Sequence, residues 1–325
     1  DQIWHWLYVS LVSDPGQMRN LPTDLRARLA ETFTISSVRP LRTQRSQDGR
    51  TEKVLLALAD GQSIETVLMS YDGRLTVCVS SQVGCAVRCA FCATGVGGWQ
   101  RDLTAGEIVD QVLHYARQLK ASEQSLSNVV YMGMGEPLLN TEAVLHSISV
   151  LNDPSGLNLG ARRITISTVG IVPGIERLAR EAPAVGLAVS LHAPTDELRS
   201  RLVPVNRRYP LGVLIQACRD YVNKTRRRVT FEYAMIDGVN DAPAQADALA
   251  RLLRGLLCHV NLIPANPVPD LPHEPSPRER ILAFEARLRQ RGVNATLRLS
   301  RGADIQAGCG QLRSEPMECQ KVVNA

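Results

Sequence analysis

Leu75-Thr76-Val77-Cys78-Val79, then Cys85-Ala86-Val87-Arg88-Cys89-Ala90-Phe91-Cys92, then Thr104 and Glu107 ahead of Ile108, Val112 and Leu113: this stretch decides the fold. The first piece has the apolar, β-branched character of a strand. The last reads as an amphipathic helix opened by a capping box, in which Thr and Glu side chains satisfy backbone N–H groups that the first turn leaves without partners. Outward from it the alternation repeats. Strands are expected at 128–132, 163–168, 187–191, 229–235 and 259–263, with helices starting near Thr141, Val172, Leu211, Ala242 and Pro277. A final strand at 295–299 leads into a Gly-rich tail. Alternating strand and helix builds a parallel sheet or barrel, and about six βα units imply a partial (βα)6 barrel rather than the closed eight-stranded form.

Upstream, Trp4, Leu7, Leu11, Leu21, Leu25 and Leu29 recur at roughly helical spacing, with Asp14-Pro15-Gly16 as a break between two short helices. A polar stretch from Arg42 to Lys53 separates them from strand-like segments at 54–58 and 63–69. The expected division is an N-terminal helical accessory domain at 1–50, linking strands at 51–73, and an α/β barrel with a C-terminal tail at 74–325.

With 325 residues, 44% of them hydrophobic, the chain can bury a full core. Neither a long apolar run nor a leader pattern stands out, so a cytoplasmic protein without membrane contact is expected. In that compartment thiols stay reduced, and eight cysteines point to metal or catalysis rather than to a disulfide framework. A net charge of +5 permits a polyanionic partner without requiring one.

Cys85, Cys89 and Cys92 fall in a loop after the first barrel strand, and the C-terminal ends of barrel strands form the catalytic face. Three thiolates can hold three irons of a [4Fe-4S] cluster and leave the fourth iron open to an outside ligand. The competing reading is structural zinc. Zinc wants four closed ligands, usually with a second cysteine pair downstream, and no such pair follows. An open iron suits S-adenosylmethionine (SAM), which can chelate it through amino and carboxylate groups before reductive cleavage starts radical chemistry.

Polar groups at the other strand ends form a candidate SAM cradle. Gly135 and Glu136 lie in a turn after the second strand, Ser167 ends the third, Ser190-Leu191-His192 end the fourth, and Asn266 follows the sixth. Taken singly, each is equally well read as a satisfied terminal hydrogen-bonding residue. Cys218 and Cys258 read as buried small hydrophobes. Cys309, between Gly308 and Gly310 in a polar tail, reads as an accessible sulfur.

Six segments, 78–92, 133–140, 162–170, 190–194, 261–267 and 301–312, together resemble the dual-specificity RNA adenine C2-methyltransferase family (RlmN) of the radical SAM superfamily. The resemblance implies that one SAM methylates Cys309 and a second SAM yields the radical that activates this S-methyl group. The carbon then adds to adenine, and Cys78 attacks the Cys309 sulfur, releasing the base through a transient disulfide. It also implies that Glu65 is the proton acceptor and that Gly135, Glu136, Ser167, Ser190, Leu191, His192 and Asn266 contact SAM. The implied substrates are 23S rRNA, at a peptidyl-transferase-centre adenine, and adenine 37 of tRNA in some members. The electron donor would be a flavodoxin or ferredoxin, and the enzyme a monomer.

The sequence departs from that family at Gly308, where alanine is common and where glycine is expected to loosen the tail. Arg207-Arg208 and the run Lys224 to Arg228 are candidate phosphate contacts, although a solvated charged face is the usual reading of such runs. Two other functions compete: the related C8-methylating family (Cfr), and a non-catalytic iron-sulfur RNA-binding protein. Pro137-Leu138 and Arg301-Gly302 favour the C2 family over the first, and the extra cysteines Cys78 and Cys309 argue against the second.

Overall fold

Strands rich in Val, Ile and Leu become stable in a parallel sheet only when helices cover one face and the curvature of the sheet closes over the other. The computed structural model, which describes residues 1–269 and 271–313, has that arrangement. The last part of the segment assigned above to the barrel domain, 314–325, lies outside the described residues.

Two short helices come first, α1 (Gln2–Tyr8) and α2 (Thr23–Thr32), with a 3-10 turn at Pro15–Gln17 between them. Then come β1 (Val38–Arg45), β2 (Thr51–Leu58) and β3 (Ser63–Tyr71). The deciding stretch forms β4 (Arg74–Cys78), a ribbon of β5 (Gln82–Gly84) and β6 (Trp99–Asp102) with short α3 (Ala93–Val96) between its arms, and α4 (Ala105–Ala121). The chain continues through β7 (Asn128–Tyr131), α5 (Thr141–Asn152), β8 (Ile164–Thr168), α6 (Val172–Glu181) and β9 (Gly186–Ser190). It then forms α7 (Asp196–Leu202), α8 (Leu211–Thr225), β10 (Val229–Met235), α9 (Pro243–Leu252), β11 (Cys258–Pro264), α10 (Arg278–Gln290) and β12 (Ala295–Leu297).

Ten strands form one sheet in the order β1-β2-β3-β4-β7-β8-β9-β10-β11-β12. From β4 onward every pairing is parallel, so the expected partial barrel is present and β12 adds one more parallel strand to it. Val229, Phe231, Tyr233 and Met235 of β10 are fully buried, as a strand covered on both sides requires. The capping box at Thr104 and Glu107 forms as expected.

Two expectations change. The helical region ends at Thr32 and not near residue 50, because 38–45 is a strand. All but one residue between Arg39 and Arg45 is exposed, so β1 shows no apolar alternation, and only its ladder to β2 defines it. Residues 51–73 are likewise more than a link: β2 and β3 continue the barrel sheet, and Cys78 pairs with Val67 across a rung.

The N-terminal helices dock on the outside of the barrel. Lys120 of α4 donates to the carbonyls of Val9 (3.2 Å) and Ser10 (3.0 Å), and Arg117 donates to Leu11 (3.2 Å). Among the described residues no helix is long and apolar enough to cross a membrane.

Candidate active site

The β5–β6 ribbon is the neck of the loop that carries Cys85, Cys89 and Cys92. At this neck the Cys85 N–H donates to the Gly98 carbonyl (2.9 Å), and Gly84 has φ +73°. A Cβ on Gly84 would sit 1.8 Å from that carbonyl oxygen, so only glycine lets the two arms meet. Farther along, the Ala90 N–H donates to Leu202 (2.9 Å) at the end of α7, tying the loop to the barrel rim.

All three cysteines face an open cavity at the C-terminal ends of the parallel strands. Burial pushes the Cys85 thiol up to about 12 and the Cys89 thiol well above its ordinary value, and neighbouring cysteines reinforce both shifts. Thiolates are therefore unfavourable here without a cation, and bound iron would supply one. Among the described residues no three His, Cys, Asp or Glu side chains are grouped as a single metal ion would need. A cubane takes one thiolate per iron and does not require that convergence, so this donor set fits the cluster better than zinc.

Gly135, Glu136, Ser167, Ser190, His192 and Asn266 line the same cavity. Glu136 is held by N–H groups of Val169 (2.8 Å) and Leu138 (3.0 Å), and burial raises its pKa to about 7. His192 accepts at Nδ1 from the Ala234 N–H (3.0 Å); burial and then Arg199 push its pKa down to about 3, leaving a neutral ring with its proton at Nε2. Leu191 lies behind the cavity wall. Its N–H donates to the Glu232 carbonyl (3.0 Å), and its carbonyl accepts from Arg199 Nε (3.1 Å).

Cys78 and Cys309 face the cavity as well. Burial, then the proximity of Cys309, raises the Cys78 thiol to about 12. Cys309 is accessible from the cavity, yet the surrounding protein still pushes its thiol up, with Arg298 opposing the shift. The tail holds it firmly: the Ala93 N–H donates to the Gly310 carbonyl (2.7 Å), Thr94 Oγ1 to Leu312 (2.6 Å), and Asn266 Nδ2 to Cys309 (2.9 Å).

Residues 79–250 match the radical SAM superfamily. The chain is 49% identical to the probable dual-specificity RNA methyltransferase RlmN of Geobacillus kaustophilus, over 97% of this chain and 86% of the relative. It is 54% identical to the protein of the same name from Moorella thermoacetica, over 96% and 90%. The chain belongs to the RlmN family. In structure, the family member superposes with a TM-score of 0.94 on a radical SAM methyltransferase from Sphaerobacter thermophilus, at 58% identity and covering 96% of this chain and 92% of that one. It is thus a radical SAM enzyme of the RNA methyltransferase class, and SAM and an iron-sulfur cluster are the cofactors its superfamily implies.

Three sequence expectations read differently in this RlmN-family structure. Glu65 shares its sheet face with Val67 and Met69, which line the reaction cavity, but is not itself among the lining residues and pairs with Lys53 (2.8 Å). Gly308 does not loosen the tail: its N–H donates to Gln311 Oε1 (3.0 Å), and a Cβ there would come within 2.7 Å of Asn266 Nδ2. The run Lys224 to Arg228 covers the last two residues of α8 and the turn into β10, at the end of the barrel opposite the cavity.

At the site, Arg199, Tyr71 and Arg298 gave no sequence signal. Arg199 is fully buried and knits the rim by donating to the carbonyls of Leu191 and Ser190 (both 3.1 Å) and to Asn206 Oδ1 (2.9 Å). In sequence it is one more arginine in a charged helix. Tyr71, Arg298 and Arg301 line the cavity mouth, with the Arg301 guanidinium 4.5 Å and that of Arg74 4.7 Å from the Tyr71 ring centre.

Proposed function

We propose that this RlmN-family enzyme methylates carbon 2 of adenine in RNA, with 23S rRNA and tRNA as substrates, and that Cys309 carries the carbon and Cys78 releases the product. The observation that supports this reading is the enclosure of Cys78, Cys309 and the three loop cysteines in one cavity. The relatives' name, dual-specificity RNA methyltransferase, supports the two substrates.

Carbon 2 of adenine has no acidic proton and little nucleophilicity, so direct methyl transfer would fail there. Cys85, Cys89 and Cys92 would hold the cluster, and Gly135, Glu136, Ser167, Ser190, His192 and Asn266 would hold SAM. When bound, these groups supply the methyl group and the radical that activates it. The Cys309 sulfur, presented by Gly308 and Gly310, accepts the methyl group and later bonds the activated carbon to the base. Cys78 then attacks the Cys309 sulfur, forming a disulfide as the carbon–sulfur bond breaks. The base must leave its stack to enter the cavity. Arg298, Arg301 and Tyr71 at the mouth offer phosphate-binding and stacking surfaces for an unpaired nucleotide. We assign residues 1–32 to an accessory module and 38–313 to the catalytic barrel, whose sheet β1, β2 and β3 extend. A flavodoxin or ferredoxin as electron donor, a monomeric state and a cytoplasmic location complete the reading.

Position-resolved mass spectrometry of RNA treated with isotope-labelled SAM tests this. Label on carbon 2 of adenine is expected; label on carbon 8 would move the chain to the Cfr reaction, and unlabelled RNA would end the proposal.

A further inference from the structure

Arg199 of α7 is 0% exposed, and its guanidinium donates to neutral oxygens: Nε to the Leu191 carbonyl (3.1 Å), Nη1 to Asn206 Oδ1 (2.9 Å), and Nη2 to the carbonyls of Val169 (2.5 Å) and Ser190 (3.1 Å). Taking a guanidinium out of water is unfavourable unless an opposite charge lies near, and bonds to neutral groups recover only part of the loss. The acid closest in sequence, Asp196, is exposed, and Asn206 links it to Arg199 by donating from Nδ2 to Asp196 Oδ1 (2.9 Å). Burial pulls the Arg199 pKa down to about 10, which leaves it charged at neutral pH, and Cys89 opposes that shift more than Asp196 or Cys218 does.

The cysteine loop packs on the helix that carries this charge. Leu198 and Leu202, on either side of Arg199 in α7, join Val87, Cys85 and Cys89 in one apolar cluster, and the Ala90 N–H donates to the Leu202 carbonyl (2.9 Å). Val169, whose carbonyl accepts from Arg199, belongs to the same cluster. A fixed cation thus stands behind the loop in apolar surroundings, where solvent screens its field weakly. Glu136, which lines the cavity, acts on Cys89 in the opposite sense. We propose that Arg199 is the counter-charge of the iron-sulfur cluster and raises its reduction potential, easing the one-electron transfer from the external reductant that precedes SAM cleavage. This rests on the reading of Cys85, Cys89 and Cys92 as ligands of a [4Fe-4S] cluster. Three thiolates outweigh the positive charge of such a core, and the incoming electron makes the group more negative still. A nearby fixed cation therefore stabilises the reduced form more than the oxidised one. Fully buried, with its guanidinium bonded to the rim, Arg199 is a positioning residue that acts through the loop.

The test measures the midpoint potential of the cluster in the full-length, reconstituted protein without SAM, by dithionite titration followed by electron paramagnetic resonance. Arg199→Gln removes the charge, and Arg199→Lys keeps it while giving up the forked hydrogen bonds. Asn206→Asp leaves the arginine in place and sets a carboxylate against its guanidinium. Arg199→Gln and Asn206→Asp should each make the cluster about tenfold harder to reduce, a fall of about 59 mV for a one-electron couple. Arg199→Lys should stay within about threefold of the parent. A merely structural role would move the Lys and Gln variants alike. Equal falls in those two would assign the effect to lost hydrogen bonds, and a parental midpoint in Asn206→Asp would show that the cluster does not feel the guanidinium; either result overturns the inference. Should Arg199→Gln fail to hold iron, the midpoints of Asn206→Asp and Arg199→Lys decide between the same outcomes. A parent protein that takes up zinc and no cluster would remove the cluster reading, and the role of Arg199 with it.

Discussion

At the scale of single residues, the two cysteines outside the cluster loop make separable predictions. If Cys309 carries the carbon, Cys309→Ala should keep its iron and still cleave SAM, yet place no label from SAM into RNA. Label in the RNA of that variant would rule out the methyl-cysteine route. If Cys78 acts only after the new carbon–carbon bond exists, Cys78→Ala should accumulate a protein–RNA adduct, visible as a nuclease-sensitive shift on denaturing gels. In the parent enzyme the Cys78 thiol, raised to about 12, is almost wholly protonated near neutrality. A raised thiol pKa makes the attacking thiolate scarce below that value and more abundant as pH climbs. Where this attack limits release, the adduct should decay about tenfold faster per pH unit between pH 7 and 9. A flat single-turnover profile would assign release to another step.

At the scale of elements, the β5–β6 ribbon does what no single cysteine can: it brings the two ends of the cysteine loop together. Gly84 is the tightest point, with positive φ and no space for a Cβ. Gly84→Ala should destabilise the protein by about 3 kcal/mol, since the clash is with backbone and cannot be relieved by turning a side chain. Denaturant melts would measure that loss, and iron content should fall with it because the cysteines lose their common frame. A variant with parental stability and full iron would show that the neck can open without consequence. The ribbon was not legible in sequence: each arm is three or four residues long, too short for an alternation to be read. The long, strongly patterned helix α4 was legible, cap included.

At the scale of the whole molecule, the barrel supplies a rim on which residues far apart in sequence meet. Reconstituted without oxygen, the protein should be brown and carry about four irons per chain, the content of one cluster held by three cysteines. Stoichiometric zinc without iron-sulfur absorption would overturn the central assignment. Arg199 shows why part of this rim was invisible in the sequence: its role consists of bonds to the carbonyls of other strand ends, and a carbonyl leaves no mark on residue identity. β1 was missed for a related reason, since an exposed edge strand is defined by its ladder to β2 and not by an apolar pattern of its own.

The sequence by itself determined the reaction class and the architecture. Both are written locally, in the spacing of Cys85, Cys89 and Cys92 and in the repeated exchange of strand and helix patterns. It also singled out Cys78 and Cys309 as unlike the other cysteines. Only the tertiary structure decided that these two share a cavity with the cluster loop, that Leu191 stands behind its wall, and that Glu65 is paired with Lys53. The physical reason is that side-chain chemistry and short-range periodicity are properties of the chain. Enclosure, pairing and the direction a side chain faces arise when distant strands pack side by side.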